Sequence, residues 1–182
     1  MKIESIRLKN FKSFQDAELS DLPNFCVIVG ANGTGKSTVF QLFDFLRDAM
    51  TNNVNAALAR LGGSRGFNEV RSRSSQGPIV IELKFRAKPD GPLTTYFLQI
   101  NEKQGEAIVK REILKYRRGS GGQPWHFLDF SNGKGIAVIN ELDSVTNVND
   151  LEREEHVLKS PDILAIKGLA QFERFPAVMA LG

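Results

Sequence analysis

The sequence predicts an α/β fold in which a strand–loop–helix unit precedes an antiparallel β-meander. The apolar run FCVIV (25–29) is bounded by polar Asn24 and by Gly30, which is typical of a central strand buried on both faces. Residues 39 to 50 then carry apolar side chains at helical spacing. From residue 79 onward the apolar period changes to two, which indicates half-buried strands.

The N-terminal unit can be predicted element by element. A first strand is indicated by alternating side chains: Ile3, Ile6 and Leu8 against Arg7 and Lys9. Residues 16–21 predict a short second strand. A single apolar stripe predicts the helix, which ends at 51–53: Val39, Leu42, Phe43, Leu46 and Met50. Cys26, within the predicted central strand, is expected to be a buried small hydrophobe.

The rest of the chain predicts a flexible connection and then a sheet. Residues 62–78 are rich in Gly, Ser and Arg and predict a mobile loop. Five strands are expected in the meander, at 79–85, 96–100, 106–117, 125–130 and from Ile136, with a hairpin turn at 132–133. The acidic stretch 141–155 predicts a solvated loop or a frayed helix. Ser160 as N-cap and Pro161 at the first position predict a helix over 163–172.

Composition narrows the class of protein. The 182 residues suit one domain or one large lobe, and the net charge of +3 does not by itself indicate a nucleic-acid-binding protein. The single cysteine cannot form an internal disulfide. No apolar run approaches the roughly 20 residues of a membrane span, and the N-terminus lacks the apolar block of a signal peptide. We therefore expect a cytoplasmic protein without a membrane partner.

The segment GANGTGKS (30–37) matches G-x-x-x-x-G-K-[ST] at every position. Its glycines allow successive backbone N–H groups to face phosphate oxygens, and the following helix adds its positive N-terminal end. Lys36 is expected to bind the β- and γ-phosphates, Ser37 to coordinate Mg²⁺ and Thr38 to reach the α-phosphate. The predicted ligands are ATP and Mg²⁺, and the predicted ATP-binding residues here are Gly30, Asn32, Gly33, Thr34, Gly35, Lys36, Ser37 and Thr38. The alternative is an ordinary glycine-rich turn with an exposed lysine.

Two segments resemble known ATPases. GANGTGKST resembles the phosphate loop of ABC-type ATPases, and IRLKNFKSF (6–14) resembles the start of SMC, RecF and OLD-like ATPase heads. The resemblance implies a P-loop NTPase half-domain of ABC-ATPase type with an antiparallel β-lobe. It also implies that Lys12 contacts the nucleotide, whereas a plain surface lysine at a strand end is the alternative.

The same resemblance implies an organisation and a mode of action. Residues 1–182 would be the N-terminal lobe of the head, with a core at 1–60, the loop at 62–78, the β-lobe at 79–140 and the start of a helical lobe at 160–182. Two full-length heads would form a homodimer around two ATP molecules, and hydrolysis would drive work on DNA in repair, chromosome maintenance or defence against phage. A partner nuclease or another effector would fit this group.

Two further segments imitate the remaining ATPase motifs. GSGGQ (119–123) looks like the ABC signature and IAVINE (136–141) looks like the Asp–Glu strand. Pro124 and the period-two pattern after it favour a hairpin tip over a signature helix, and Asn140 stands where a metal-binding Asp belongs. No catalytic residue is identified in this chain. A nucleotide-gated switch with little turnover and a transporter-type motor are the alternative functions.

The sequence contains three weaker candidates for metal-binding or DNA-binding residues. The resemblance implies that Gln171 could be the glutamine that contacts Mg²⁺ and the attacking water, although a helical surface glutamine is the simpler interpretation. His126 and His156 lack clustered partner ligands, which argues against a metal site. Basic residues of the loop and the meander could bind DNA phosphates or form a solvated face: Arg60, Arg65, Arg71 and Arg73, and Lys110, Arg111, Lys115, Arg117 and Arg118.

Overall fold

The computed structural model describes residues 1–117, 124–138 and 150–169. They form an eight-stranded sheet of order β2-β1-β3-β4-β5-β6-β7-β8, and every neighbouring pair is antiparallel. The strands are β1 Lys2–Phe11, β2 Phe14–Leu19, β3 Ile79–Arg86, β4 Leu93–Lys103, β5 Glu106–Arg117, β6 Trp125–Ser131, β7 Lys134–Val138 and β8 Arg153–Val157. The predicted meander is confirmed.

Side-chain alternation determines which face of this sheet is buried. The odd positions of β3 from Ile79 to Phe85 are buried while the even positions are only partly covered. Their partners on β4 follow the same rule, because Ile81 lies opposite Leu98 and Leu83 opposite Tyr96. Antiparallel register thus collects the apolar side chains of consecutive strands on one face.

The helices share one core with that face. They are α1 Lys36–Thr51, α2 Val54–Gly62, α3 Phe67–Val70 and α4 Ala165–Leu169, with a 3₁₀ turn at Gly63–Arg65. Helix α1 occurs as predicted, but Phe43 is 37% exposed and Phe45 is buried in its place. The ring of Phe45 lies 6.1 Å from that of Phe11 on β1, so the buried stripe is rotated from the predicted one.

The predicted central strand at 25–29 does not form. This stretch has no regular secondary structure, and Phe25 and Val29 are 81% and 85% exposed. Cys26 is likewise exposed, so its expected burial is wrong. A strand that is apolar on both faces needs hydrogen-bonded neighbours on both edges and cover on both sides. Within the described residues no strand lies beside 25–29, because β1 already pairs with β2 and β3.

Three other expectations need correction. The segment predicted as a mobile loop contains α3, whose Phe67 and Val70 are buried. Part of the acidic stretch is strand β8, since pairing with β7 supplies partners that local sequence does not reveal. Ser160 is not the N-cap of the last helix; its hydroxyl bonds to the Asp162 carboxylate, and α4 begins at Ala165. Among the described residues, no helix is long and apolar enough to cross a membrane.

Candidate functional site

The glycine-rich loop leads directly into α1, which begins at Lys36. Gly33 and Gly35 have φ of 84° and 96°, a region that favours glycine. The Lys36 Nζ atom donates to the carbonyls of Gly30 and Ala31 at 2.7 and 2.6 Å, and the Thr34 hydroxyl donates to Ala31 O at 2.9 Å. The loop therefore curls around the Lys36 ammonium and places the start of a 16-residue helix at its mouth.

The turn between β1 and β2 packs against this loop. A Cβ atom on Gly35 would lie 2.7 Å from the ring of Phe14 and 3.0 Å from Ser13 Oγ, so glycine is required there for close approach as well as for conformation. The hydroxyls of Ser13 and Thr38 share a hydrogen bond of 3.0 Å. The two segments that the resemblance singled out are thus in direct contact.

Lys12 lies in that turn and has a positive φ of 52°. Its backbone N–H donates to Val70 O at 2.6 Å, and its Nζ atom donates to Leu61 O at 3.0 Å at the end of α2. These bonds hold the Lys12 side chain beside the glycine-rich loop. Lys12 and the loop line the same cavity of about 830 Å³, as do all the predicted ATP-binding residues except Gly30 and Thr34.

A second wall of the cavity was missed by sequence reasoning. It comprises Gln15 on β2 and the segment 71–74, which follows α3. Arg71 forms an isolated bridge with Phe11, Ser72 N donates to Asn10 O at 3.1 Å, and Gln15 Nε2 donates to Ser74 Oγ at 2.7 Å. The only local signal was the Gly-, Ser- and Arg-rich composition, which does not reveal this pairing with β1.

Several of the basic candidates have acidic partners on the surface. Arg60 pairs with Asp48 at 3.2 Å, and Arg65 and Arg73 both pair with Glu69, at 3.6 and 3.7 Å. On the meander, Arg111 pairs with Asp129 at 2.9 Å. Each of these four arginines therefore has an acidic neighbour. Arg118 lies outside the described residues.

The two histidines lie beside carboxylates. His126 is 3.4 Å from Asp129, and His156 is 3.7 Å from Glu154. The described part of the chain contains no group of three or more His, Cys, Asp or Glu side chains that could hold a metal ion.

The apparent signature and Asp–Glu segments fall mostly outside the described residues. GSGGQ (119–123), residues 139–141 and Gln171 all lie there. What flanks GSGGQ is described: β5 precedes it, β6 begins at Trp125, and the two strands pair antiparallel. The expected strand after Pro124 is confirmed, and a signature helix beginning there does not occur. Residues 136–138 of IAVINE belong to β7, as expected.

Comparison with known proteins identifies the family of this chain. The model of the AAA ATPase domain matches residues 1–158. The chain is 21% identical over 166 residues to the DNA replication and repair protein RecF of Lactococcus lactis subsp. lactis, covering 87% of this chain and 46% of that protein. It is 24% identical over 188 residues to the chromosome partition protein Smc of Methanocaldococcus jannaschii, covering 94% of this chain and 15% of that one. The chain thus spans less than half the length of these two relatives. Because the domain model covers most of the sequence, the chain belongs to the AAA ATPase domain family and is of the SMC/RecF-like kind.

Proposed function

We propose that this chain is the N-terminal lobe of an ABC-type, SMC/RecF/OLD-like ATPase and that it binds Mg–ATP. The single observation that supports this best is the convergence of Lys12, Lys36, Ser37 and Thr38 on one cavity. Two cations, two hydroxyls and a helix N-terminus are the groups that a triphosphate and its metal ion need.

Each residue has a defined role in this proposal. The Lys36 ammonium, which now donates to loop carbonyls, would turn to the β- and γ-phosphate oxygens. The exposed Ser37 hydroxyl would coordinate Mg²⁺, a hard cation that prefers oxygen ligands. The chemistry that Mg²⁺ would supply there is neutralisation of the charge that develops on the phosphates. Lys12 would add a second positive charge from the β1–β2 turn.

For the whole protein we propose ATP hydrolysis in a homodimer with composite sites. The names of the relatives refer to DNA replication, DNA repair and chromosome partition. Work on DNA in repair, in chromosome maintenance or in defence against phage is the proposed outcome, with a nuclease or another effector as a partner. We propose a cytoplasmic location for this work on DNA.

Isothermal titration calorimetry of the protein with Mg–ATP tests the binding step. We expect saturable 1:1 binding that Lys36→Ala weakens by about 10-fold or more, because hydrogen bonds to charged groups contribute roughly 1.5–3 kcal/mol. Lys110→Ala, at an exposed position of β5, is the matched control and should bind like the unaltered protein. Equal affinity of the Lys36→Ala variant and the unaltered protein would contradict the proposal.

One observation favours a nucleotide-gated switch as the second candidate. Glu69 is the only carboxylate among the described residues that line the cavity, and it is engaged with Arg65 and Arg73. In this alternative no carboxylate orients the attacking water, and bound ATP persists. Phosphate release over several turnovers distinguishes the two: steady release supports the ATPase, and saturable binding without release supports the switch.

A further inference from the structure

The C-terminal end of helix α2 is capped by a side chain from another element. The last carbonyls of a helix have no partner within the helix itself. The carbonyl of Leu61, one residue before the end of α2, accepts a hydrogen bond of 3.0 Å from Lys12 Nζ, 49 positions away in the sequence. A cation at this end of a helix is also electrostatically favourable. Lys12 therefore stabilises the end of α2.

The connection that follows α2 is held by backbone bonds near the surface. It is a 3₁₀ turn without a buried residue. The Gly63 N–H donates to Ala59 O, and the Gly66 N–H donates to Gly63 O at 3.0 Å. An exposed ion pair from Arg65 to Glu69, 3.6 Å long, adds little. Loss of the cap on α2 would therefore let the end of the helix and this turn open locally.

The ammonium that caps α2 also faces the cavity. Lys12, Leu61 and Lys36 all line it, so the capping bond lies in the cavity wall. An ammonium is a point charge on a flexible four-carbon stem, and an anion attracts it more strongly than a neutral carbonyl does. Under the proposed function, the phosphates of a bound nucleotide compete with Leu61 O for Lys12.

The main chain of Lys12 can stay in place while its side chain turns. The Lys12 backbone N–H donates to Val70 O at 2.6 Å, at the end of α3. This bond does not involve the ammonium and is kept when the side chain moves. Lys12 thus holds both ends of the stretch 61–70, and only its bond to Leu61 can be exchanged for a ligand.

We propose that nucleotide binding draws the Lys12 ammonium away from the C-terminal end of α2 and thereby loosens the connection between α2 and α3. This inference rests on the proposed function, to which it adds a way of signalling that the site is occupied. Because α3 leads into residues 71–74, which line the same cavity, the loosened connection lets that wall respond to the phosphates. The coupling is reciprocal, so the cap on α2 opposes nucleotide binding by the same factor.

Amide hydrogen exchange measured by NMR tests the coupling at single residues. The reporters are the N–H groups of Gly63 and Gly66, and the reference is the N–H of Ala56 in the first turn of α2. The proteins are the unaltered chain, Lys12→Met, which keeps an unbranched apolar stem without the charge, and Lys9→Met. Lys9 is exposed on β1 and does not line the cavity, which makes it the matched control.

We expect saturating Mg–ATP to accelerate exchange at Gly63 and Gly66 about ten-fold in the unaltered protein and in Lys9→Met, the factor that one hydrogen bond to a charged group provides. Exchange at Ala56 should not accelerate. Lys12→Met should exchange at the faster rate without nucleotide, and ATP should add no further acceleration. The sign distinguishes this coupling from general stabilisation, because a ligand that only stabilises the fold slows exchange.

Three results contradict the coupling. Saturating Mg–ATP could leave exchange at Gly63 and Gly66 unchanged or slow it, Lys12→Met could exchange like the unaltered protein without nucleotide, or ATP could accelerate exchange equally in both proteins. The first result would mean that Lys12 stays on Leu61 O when the site is filled. Calorimetry on the same samples separates these results from failure of the proposed function. In that case the unaltered protein does not bind Mg–ATP, or Lys36→Ala binds it normally, and the coupling falls as well.

Discussion

The carboxylate of Glu112 accepts the backbone N–H of Ala165 at 2.6 Å and so joins the middle of the sheet to the first turn of α4. It also accepts the N–H of Ile166 at 3.1 Å and the hydroxyl of Tyr96 at 3.1 Å, and it is fully buried. Burial raises the pKa of Glu112 to about 7, against the lowering effect of these three hydrogen bonds. A side chain from β5 thus takes the capping role that the sequence assigned to Ser160.

This contact is linked through α4 to helix α1, which follows the glycine-rich loop. Lys167 Nζ donates to the carbonyls of Thr51 and Asn52, both at 2.8 Å, at the C-terminal end of α1. A cation near that end of a helix is electrostatically favourable. The chain of contacts runs from Glu112 to α4 and from α4 to α1.

Glu112 predicts a pH dependence of stability. Between pH 4.5 and about 7 the folded protein keeps a proton that the unfolded chain releases. The free energy of unfolding therefore falls as pH rises through this window, by roughly 3 kcal/mol at most, and levels off above it. Urea denaturation at pH 5 to 8 should show the decline in the unaltered protein and a flatter profile in Glu112→Gln. Glu155→Gln, on exposed β8, is the control, and a variant profile as steep as that of the control would contradict the prediction.

Replacing Asn55 with alanine should destabilise the fold more than replacing Asn53, which lies two positions earlier. The Asn55 side chain accepts Ala107 N–H at 2.8 Å and donates to Ala107 O and to Asp162 Oδ2, both at 3.1 Å. Asn55→Ala removes all three bonds between α2, β5 and the segment before α4, and we expect a loss of about 2–3 kcal/mol in urea denaturation.

Asn53→Ala is the comparison. Asn53 only caps α2, by accepting Ala56 N–H at 2.8 Å, and its removal should cost about 1 kcal/mol. An Asn55→Ala variant as stable as Asn53→Ala would show that the three cross-links do not stabilise the fold.

Gly35 should tolerate alanine less well than Gly33. Both have positive φ, which costs alanine roughly 1–2 kcal/mol, but a Cβ on Gly33 meets no atom within 4 Å whereas one on Gly35 meets the Phe14 ring at 2.7 Å. The measurement is a double-mutant cycle of unfolding free energies with Phe14→Ala. We expect Phe14→Ala to cost less in the Gly35→Ala background than in the unaltered protein, and simple additivity would exclude the clash.

The reactivity of Cys26 tests whether residues 25–29 are exposed rather than part of a buried strand. As the single thiol of the chain and an exposed one, it should react with a disulfide reagent in native buffer at a rate comparable to that in urea. Protection in the native protein that is lost on unfolding would instead support the buried strand predicted from the sequence.

The sequence predicted the local features well where the signal lies in a few consecutive residues. The period-two alternation placed β3 to β7, and the glycine spacing placed the turn that leads into α1. Nucleotide binding by that turn and by Lys12 stays a prediction. Those patterns suffice because backbone conformation and side-chain alternation are set by near neighbours along the chain.

Long-range contacts decided the rest. The apolar run 25–29 reads as a core strand, yet it is exposed because strand formation needs paired neighbours on both edges. Arg73 reaches the cavity only because segment 71–74 bonds to the end of β1 and to Gln15, and Glu112 caps α4 across 53 positions of sequence. Local sequence alone determined the glycine-rich loop and the strand alternation. Tertiary structure decided what faces that loop, since hydrogen-bond partners and burial depend on residues far apart in the chain.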